Sequence, residues 1–460
     1  MGSCRLDYRS CLRFAWLAAA TVWHEPAIAQ QWSLSFPIFS PCTSAASPEL
    51  PVRWRAVGLM TPFLKGQLDV GEFVYDGTLP AMRATIYGLE SGAVDLLITQ
   101  SDTYVLSGPY SSPDQCRSLG RKLHPPSRQW LAPGAVCVGE FPVAGRPVQW
   151  WQSPARDDLS TWHWFSTQTH LPWRSLFLMR SSDPAIIGDY AMTYFPTFTP
   201  ISKSNLSDLQ SMCAKQAKST ASDRLPDMPT ARDLMAIKNN DAGEAERTKR
   251  IAELIPGLSH DSCSRVKPPR WPDQFVMSAI LTSARFHEGA YSSLIYYDWS
   301  KMQSQVALLF QGNPPVLKDF LSLKPRVGYR IGLPSFKGPA CAVAFPGMVR
   351  PDWITNAWCE CKAVIARDSA LGADADTQIL SCPIKWQGAR VMWAWYTTTG
   401  RPRIFTEPAG AELMFADYLD WLPGQVARAE DLQLPQACMA PDKSEPMRPT
   451  FSCSDCHTTP

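Results

Sequence analysis

The sharpest chemical signal lies at the C-terminus, in Cys453-Ser454-Asp455-Cys456-His457. Two thiols separated by two residues, with a histidine directly after, match the attachment pattern of a c-type haem. The thiols reach the two vinyl groups, and the imidazole swings under the ring to ligate iron. Only Thr458, Thr459 and Pro460 follow the motif. Wrapping of the haem and a second axial ligand must therefore come from upstream, where Met447 and Met439 are the nearest candidates. The competing reading places Cys453 and Cys456 in disulfides, with Cys438 as one possible partner. Zinc suits the motif less well, because adjacent Cys456 and His457 do not easily reach one tetrahedral ion together. No metal site is assigned.

Other candidates are weaker. Asp189 and Asp417 each precede a tyrosine, in Gly188-Asp189-Tyr190 and Ala416-Asp417-Tyr418. As general acids they would serve an enzyme. As a feature present twice they read first as scaffold, hydrogen-bonded within a packed segment. His124, His163, His170 and His287 show no helical metal-pair spacing and read as surface or half-buried side chains. Trp162, Trp164, Trp393 and Trp395 either fill a core or line an apolar groove. No G-x-S-x-G elbow, P-loop or G-x-G-x-x-G occurs, so nucleotide use and common serine hydrolysis have no support.

The segments holding these residues look like two copies of one unit. Trp162-His163-Trp164-Phe165 and Trp393-Ala394-Trp395-Tyr396 alternate ring, other, ring, as a strand with one aromatic face does. Tyr104 precedes Cys116 by twelve positions, and Tyr329 precedes Cys341 by twelve. Trp130 precedes Cys137 by seven, while Trp353 precedes Cys359 by six and Cys361 by eight. Short apolar runs broken by Gly77, Gly88 and Gly92 predict an antiparallel meander in the first unit. Phe275–Thr282, Tyr291–Trp299 and Gln303–Phe310 predict the same in the second. Tyr296-Tyr297-Asp298-Trp299 is matched to Ile86-Tyr87-Gly88-Leu89. Asp183-Pro184 predicts a helix start, with Ile186, Ile187, Tyr190 and Tyr194 on one face. A corresponding helix is expected around Asp417.

The chain has 460 residues, 45% hydrophobic and 19% charged, which is ample for two or three packed domains. A formal net charge of +2, with no basic stripe, argues against nucleic acid as a partner. Forty-one prolines favour short strands and ordered loops over long helices. Arg5, Arg9 and Arg13, the apolar run Phe14–Trp23 and Ala27-Ile28-Ala29 read as an export signal over residues 1–29. An uncleaved anchor or a buried strand is the other reading of that segment. No later stretch suits a transmembrane helix. Removing Cys4 and Cys11 with the signal leaves twelve cysteines, an even number suited to disulfides in an oxidising compartment. The repeat suggests Cys116–Cys137, Cys341 with Cys359 or Cys361, and Cys382 with the one left over. Cys213 and Cys263 would staple the segment between the units.

The expected organisation is an extended arm at 30–50, a β-rich unit at 51–200, a helical connector at 201–270, a second unit at 271–424, and a Pro/Cys tail at 425–460. Leu206–Lys218 and Thr230–Leu254 are the connector's amphipathic helices. The fold class is α+β and β-rich: a tandem duplication of an antiparallel curved sheet with a short covering helix. A strand, Asp298 and a second strand over Tyr291–Phe310, together with the export signal, resemble the curved-sheet proteins of the LolA/LppX kind and the related ependymin-type half barrel. The resemblance implies a concave sheet that binds an acyl chain or other apolar ligand. The sequence is therefore read as an exported, periplasmic or secreted, non-enzymatic binding protein for an apolar ligand or an envelope partner. A c-type haem protein of envelope electron transfer is the alternative. An enzyme with its site between the units is the third.

Overall fold

Period-two alternation of rings and small residues, punctuated by tight turns, sets the architecture of the computed structural model. The structure describes residues 40–425, apart from loop segments of which the longest are 220–241, 180–188 and 333–341, together with Cys438. The first unit contributes β1 (Arg53–Pro62), β2 (Asp69–Asp76), β3 (Ala81–Gly88), β4 (Ala93–Ile98), β5 (Thr103–Ser107) and β6 (Gln115–Ser118). It continues with β7 (Val136–Val143), β8 (Arg146–Arg156), β9 (Leu159–Ser166), β10 (Pro172–Met179) and β11 (Asp189–Pro200). Helices α1 (Leu206–Ser219) and α2 (Ala242–Leu254) come next, then β12 (Leu258–Ser259). The second unit supplies β13 (Gln274–Ser283), β14 (Ala290–Asp298), β15 (Ser304–Phe310), β16 (Pro315–Leu323), β17 (Arg326–Gly332) and β18 (Ala342–Phe345). It ends with β19 (Glu360–Ile365), β20 (Thr377–Pro383), β21 (Val391–Thr397), β22 (Pro402–Ala409) and β23 (Glu412–Pro423).

These strands form two antiparallel sheets with one wiring plan. The first has eleven strands, in the order β6-β5-β4-β3-β2-β1-β11-β10-β9-β8-β7. The second has twelve: β12 at one edge, then β19 to β23, then β13 to β18. In each, the first strand of the unit pairs with its last at the centre of the sheet; six strands run outward on one side and five on the other, and in the second sheet β12 adds a sixth strand at the edge of the shorter side. The duplication is thus a feature of the fold itself. It extends to irregularities: a bulge falls just after Cys137 in β7 and just after Cys361 in β19. Both cysteines are the second residue of their strand.

Strand register corrects two sequence matches. Asp298 closes β14 as Asp76 closes β2, so Tyr296–Trp299 corresponds to Val74–Gly77, not to Ile86–Leu89. Both aspartates hold the next turn. Asp76 accepts from Thr78 N at 2.9 Å, and Asp298 accepts from Ser300 Oγ at 3.0 Å. The helix expected at Asp183–Tyr194 is not formed over its second half, which is strand β11; its start lies outside the described residues. Ala416-Asp417-Tyr418 likewise lies in β23. The alternating rings of Tyr190-Ala191-Met192-Thr193-Tyr194-Phe195 suit a strand buried on both faces better than a helix stripe.

The covering helix comes from the connector instead. Leu206, Leu209 and Cys213, spaced along one face of α1, pack on Ala81, Leu97, Tyr104, Leu106 and Cys116. In α2, Ile251 and Leu254 reach the core shared by both sheets, and Gly257 (φ 85°) turns the chain into β12. The outer face of each sheet is also covered. Leu50, Trp130 and Leu131 lie over Trp54, Tyr75, Trp151 and Phe165 on the first, and Cys438 packs with Val276, Tyr296, Val306 and Phe320 on the second. Among the described residues no helix is long and apolar enough to cross a membrane.

Among the described residues the disulfides are Cys42–Cys137, Cys116–Cys213, Cys263–Cys361 and Cys359–Cys382, and Cys438 is also disulfide-bonded. The expected pairs Cys116–Cys137 and Cys213–Cys263 do not form. β6 and β7 sit at opposite edges of their sheet, which places Cys116 and Cys137 far from one another. Each end of the connector is instead fastened to the unit beside it. Cys382 does take one of the second unit's pair, Cys359, but Cys361 goes to Cys263 rather than Cys341. Cys341 lies outside the described residues.

Candidate functional site

The two sheets present their tryptophan strands to each other. In β9, alternation sends Trp162 and Trp164 to one face and His163 and Phe165 to the other. Trp162, Trp164, Trp393 and Trp395 are 0%, 1%, 0% and 4% exposed and belong to a single core cluster. That cluster draws on both sheets, with Trp150, Met192 and Tyr194 from the first and Phe275, Met277 and Ile280 from the second. The sequence-predicted tryptophans are therefore brought together, in a seam where protein side chains meet protein side chains.

The seam has a continuous aromatic spine. Trp150 stacks on Trp164 with centroids 5.5 Å apart and lies 5.2 Å from Trp162. The guanidinium of Arg174, on neighbouring β10, sits 3.9 Å from the centre of the Trp164 ring. Arg174 is fully buried. Its Nη1 donates to Tyr194 Oη at 3.3 Å. Tyr194 in turn packs against Trp395 of the other sheet with centroids 4.8 Å apart. A buried arginine stacked on an indole face is a cation–π arrangement, strongest where water is excluded. The indole Nε1 atoms of Trp162, Trp164 and Trp395 are buried and make no hydrogen bond.

No strand pairing among the described residues joins the two sheets. Besides the core, polar contacts link them: Lys362 Nζ, on β19, donates to Glu90 in the turn after β3 at 2.9 Å. The connector helix α2 adds Arg250 Nη2 to Glu72 of β2 at 2.9 Å.

Behind the seam lies a second polar feature. Trp130 Nε1 donates to His163 Nδ1 at 3.1 Å, and Ser175 Oγ lies 2.9 Å from the same nitrogen. His163 is 4% exposed, not a surface residue, because loop residue Trp130 folds over it. Burial pushes its imidazole down to about 4, so it is neutral in the folded protein. His124 is exposed, and His170 occupies the turn after β9 at φ 53°. His287 lies outside the described residues.

Strand register separates the two aspartates. Asp189 pairs with Met179 at the start of β11, whereas Asp417 pairs with Ile404 midway along β23. By register, Asp417 occupies the position held by Tyr194 in the first unit, so the two carboxylates are not equivalent. Among the described residues no group of three or more metal-ligating side chains forms. Cys453, Cys456, His457, Met439 and Met447 lie outside the described residues.

Arg174 was not singled out by sequence reasoning, although a signal existed. In Trp173-Arg174-Ser175-Leu176, Arg174 shares its strand face with Leu176, and Leu176 is fully buried. An arginine in phase with the apolar positions of a strand marks a charge turned inward.

No family model and no curated protein matches the chain. Among solved structures, the complex of Pseudomonas aeruginosa MucA and MucB aligns over 82% of this chain and 94% of that one, at 11% identity and a TM-score of 0.22. A LolA superfamily protein of Nitrosomonas europaea aligns over 36% of this chain and 93% of that one, at 9% identity and a TM-score of 0.18. An uncharacterized conserved protein of Thermus thermophilus aligns over 34% and 84%, at 10% identity and a TM-score of 0.24. Likenesses of this size carry no argument about what the chain does.

Proposed function

We propose that this is an exported binding protein that takes an apolar, lipid-like ligand into the seam between its two sheets. The observation that carries this reading is the meeting of the two tryptophan strands across an interface that, among the described residues, no strand ladder crosses. Opening such an interface exposes two apolar faces without breaking main-chain hydrogen bonds. The cost of exposing them is what an apolar guest would remove, because the drive scales with the area taken from water. Disulfides that tie the arm and the connector to the sheets support a life outside the reducing cytosol.

The test is to express the full chain with its leader, purify it without detergent, extract it with organic solvent, and analyse the extract by mass spectrometry. Stoichiometric acyl chains are expected. A protein free of apolar guests, which also fails to take up a fluorescent fatty acid in solution, would overturn the reading.

A second reading is favoured by one motif. Cys453 and Cys456 would carry a covalent c-type haem with His457 as axial ligand, and Met447 would supply the other face. Co-expression with the haem-attachment machinery should then give a Soret band that Cys456→Ala abolishes. A colourless protein under those conditions rejects it.

A further inference from the structure

Cys438 is buried and disulfide-bonded, while the other described cysteines are all joined among themselves. Its partner is therefore one of Cys4, Cys11, Cys341, Cys453 and Cys456. A disulfide needs Cα atoms within about 7 Å, so the place of one cysteine limits its partner to near neighbours. The duplication fixes that place. In the first unit Cys213 of α1 is bonded to Cys116 of β6 and shares a core cluster with Val74, Leu97, Tyr104 and Leu106. Cross-strand pairing runs Val74, Arg83, Leu97, Tyr104 from β2 to β5. In the second unit it runs Tyr296, Val306, Phe320, Tyr329 from β14 to β17. Val74 and Tyr296 are equivalent, each two residues before the aspartate that closes its strand. Leu97 thus matches Phe320, Tyr104 matches Tyr329, and Leu106 matches Ile331. Tyr296, Phe320, Tyr329 and Ile331 all belong to the cluster of Cys438. Cys438 lies on the second sheet where Cys213 lies on the first.

The edge strands carry the match to the partner. Leu106 pairs with Cys116. In the second sheet Tyr329 pairs with Val343 and Arg330 with Ala342, so the next step of that register leads from Ile331 to position 341. Chain spacing agrees. Cys116 and Cys213 are 97 positions apart, and so are Cys341 and Cys438. We propose that Cys438 is bonded to Cys341, and that the tail after Pro423 is thereby fixed on the second sheet as α1 is on the first. The bond closes by exchange with a disulfide-carrying oxidant, which takes up the two protons and two electrons that the thiols give up. Cys453 and Cys456 are then left out of the structural bonds, and the C-x-x-C-H motif keeps both thiols for chemistry of its own. The pairing depends on neither an apolar guest nor a haem.

The experiment is a disulfide map of the purified full chain. Unpaired thiols are blocked with N-ethylmaleimide at acidic pH, which suppresses exchange by keeping thiols protonated. The unreduced chain is then cut at Lys, Arg and Asp, which separates Cys341 from Cys359 and Cys453 from Cys456. Mass spectrometry should find one linked peptide pair that holds Cys341 and Cys438. Cys453 and Cys456 should be recovered blocked, joined only to each other, or carrying haem. In the double variant Cys453→Ser/Cys456→Ser the Cys341–Cys438 pair should persist in full. Cys438 joined to Cys453, Cys456 or a leader cysteine overturns the assignment. So does recovery of Cys341 as a blocked thiol in the wild-type chain, or loss of the pair in the double variant.

Discussion

The two units share a plan and differ at a few paired positions. Their strand orders, their central pairing of first with last strand, and their bulges beside Cys137 and Cys361 correspond. So do Trp162 with Trp393 and Trp164 with Trp395. On the strands beside those tryptophans the chemistry diverges. In the first unit Trp164 pairs with Arg174, and His163 with Ser175. In the second, Trp395 pairs with Ile404, and Ala394 with Phe405. Polar cross-strand pairs on one side face apolar pairs on the other. The features common to both copies are those a curved sheet needs to fold. The features held by one copy alone are where specialised chemistry would be added, and Arg174 and His163 both belong to the first unit.

The largest effects should test the shared part. Cys137→Ser and Cys361→Ser each open a link, spanning 95 and 98 residues respectively. Loops of that length predict a loss of about 4–5 kcal/mol for each. Denaturant midpoints of the two variants should fall by similar amounts, and a large inequality would break the match between the units. Trp164→Ala and Trp395→Ala should each cost about 3–5 kcal/mol, since both rings are buried in one core.

The divergent part predicts a pH dependence. His163 titrates at about 4 in the folded chain against an ordinary 6.5. Its depressed value means that the unfolded chain takes up a proton the folded chain refuses. Stability is complete above about pH 6.5 and declines as pH falls towards 4, by about 3 kcal/mol in total. His163→Gln should flatten the difference in that window when urea midpoints are compared with wild type. An unchanged slope would show that the imidazole is not held neutral by burial. The smallest effect concerns the polar link between sheets. Lys362→Ala should cost about 0.5 kcal/mol, because Glu90 remains partly open to water.

Much of the fold is legible in the chain. Short apolar runs between glycine turns locate β2, β3 and β4, strand-like runs locate β13, β14 and β15, and the ring-other-ring signature matches β9 with β21. Helix α1 is legible from Leu206, Leu209 and Cys213 at helical spacing. The departures have a common cause. Asp183-Pro184 is a good local helix start, yet the residues from Asp189 onward form a strand because β11 is the central partner of β1, buried on both faces. Local preference yields to such tertiary demand. Disulfide pairing escapes the sequence because nearness along the chain is not nearness in space. In a sheet whose halves run outward from its centre, β6 and β7 are consecutive and lie at opposite edges. The inward side of the seam is legible from its tryptophans, whereas its cation shows only in the phase of Arg174 with Leu176.

The pairing of β1 with β11, and of β13 with β23, has a consequence for how the protein is made. The middle of each sheet can be completed only by its last strand to arrive, so an emerging chain carries an open, sticky ladder on β1 until residue 200 appears. Contacts so distant in sequence slow folding and expose such edges to mispairing. A polypeptide wired this way should depend on escorts and thiol shuffling during its assembly, and its yield should respond to them more than that of a simple hairpin-by-hairpin meander.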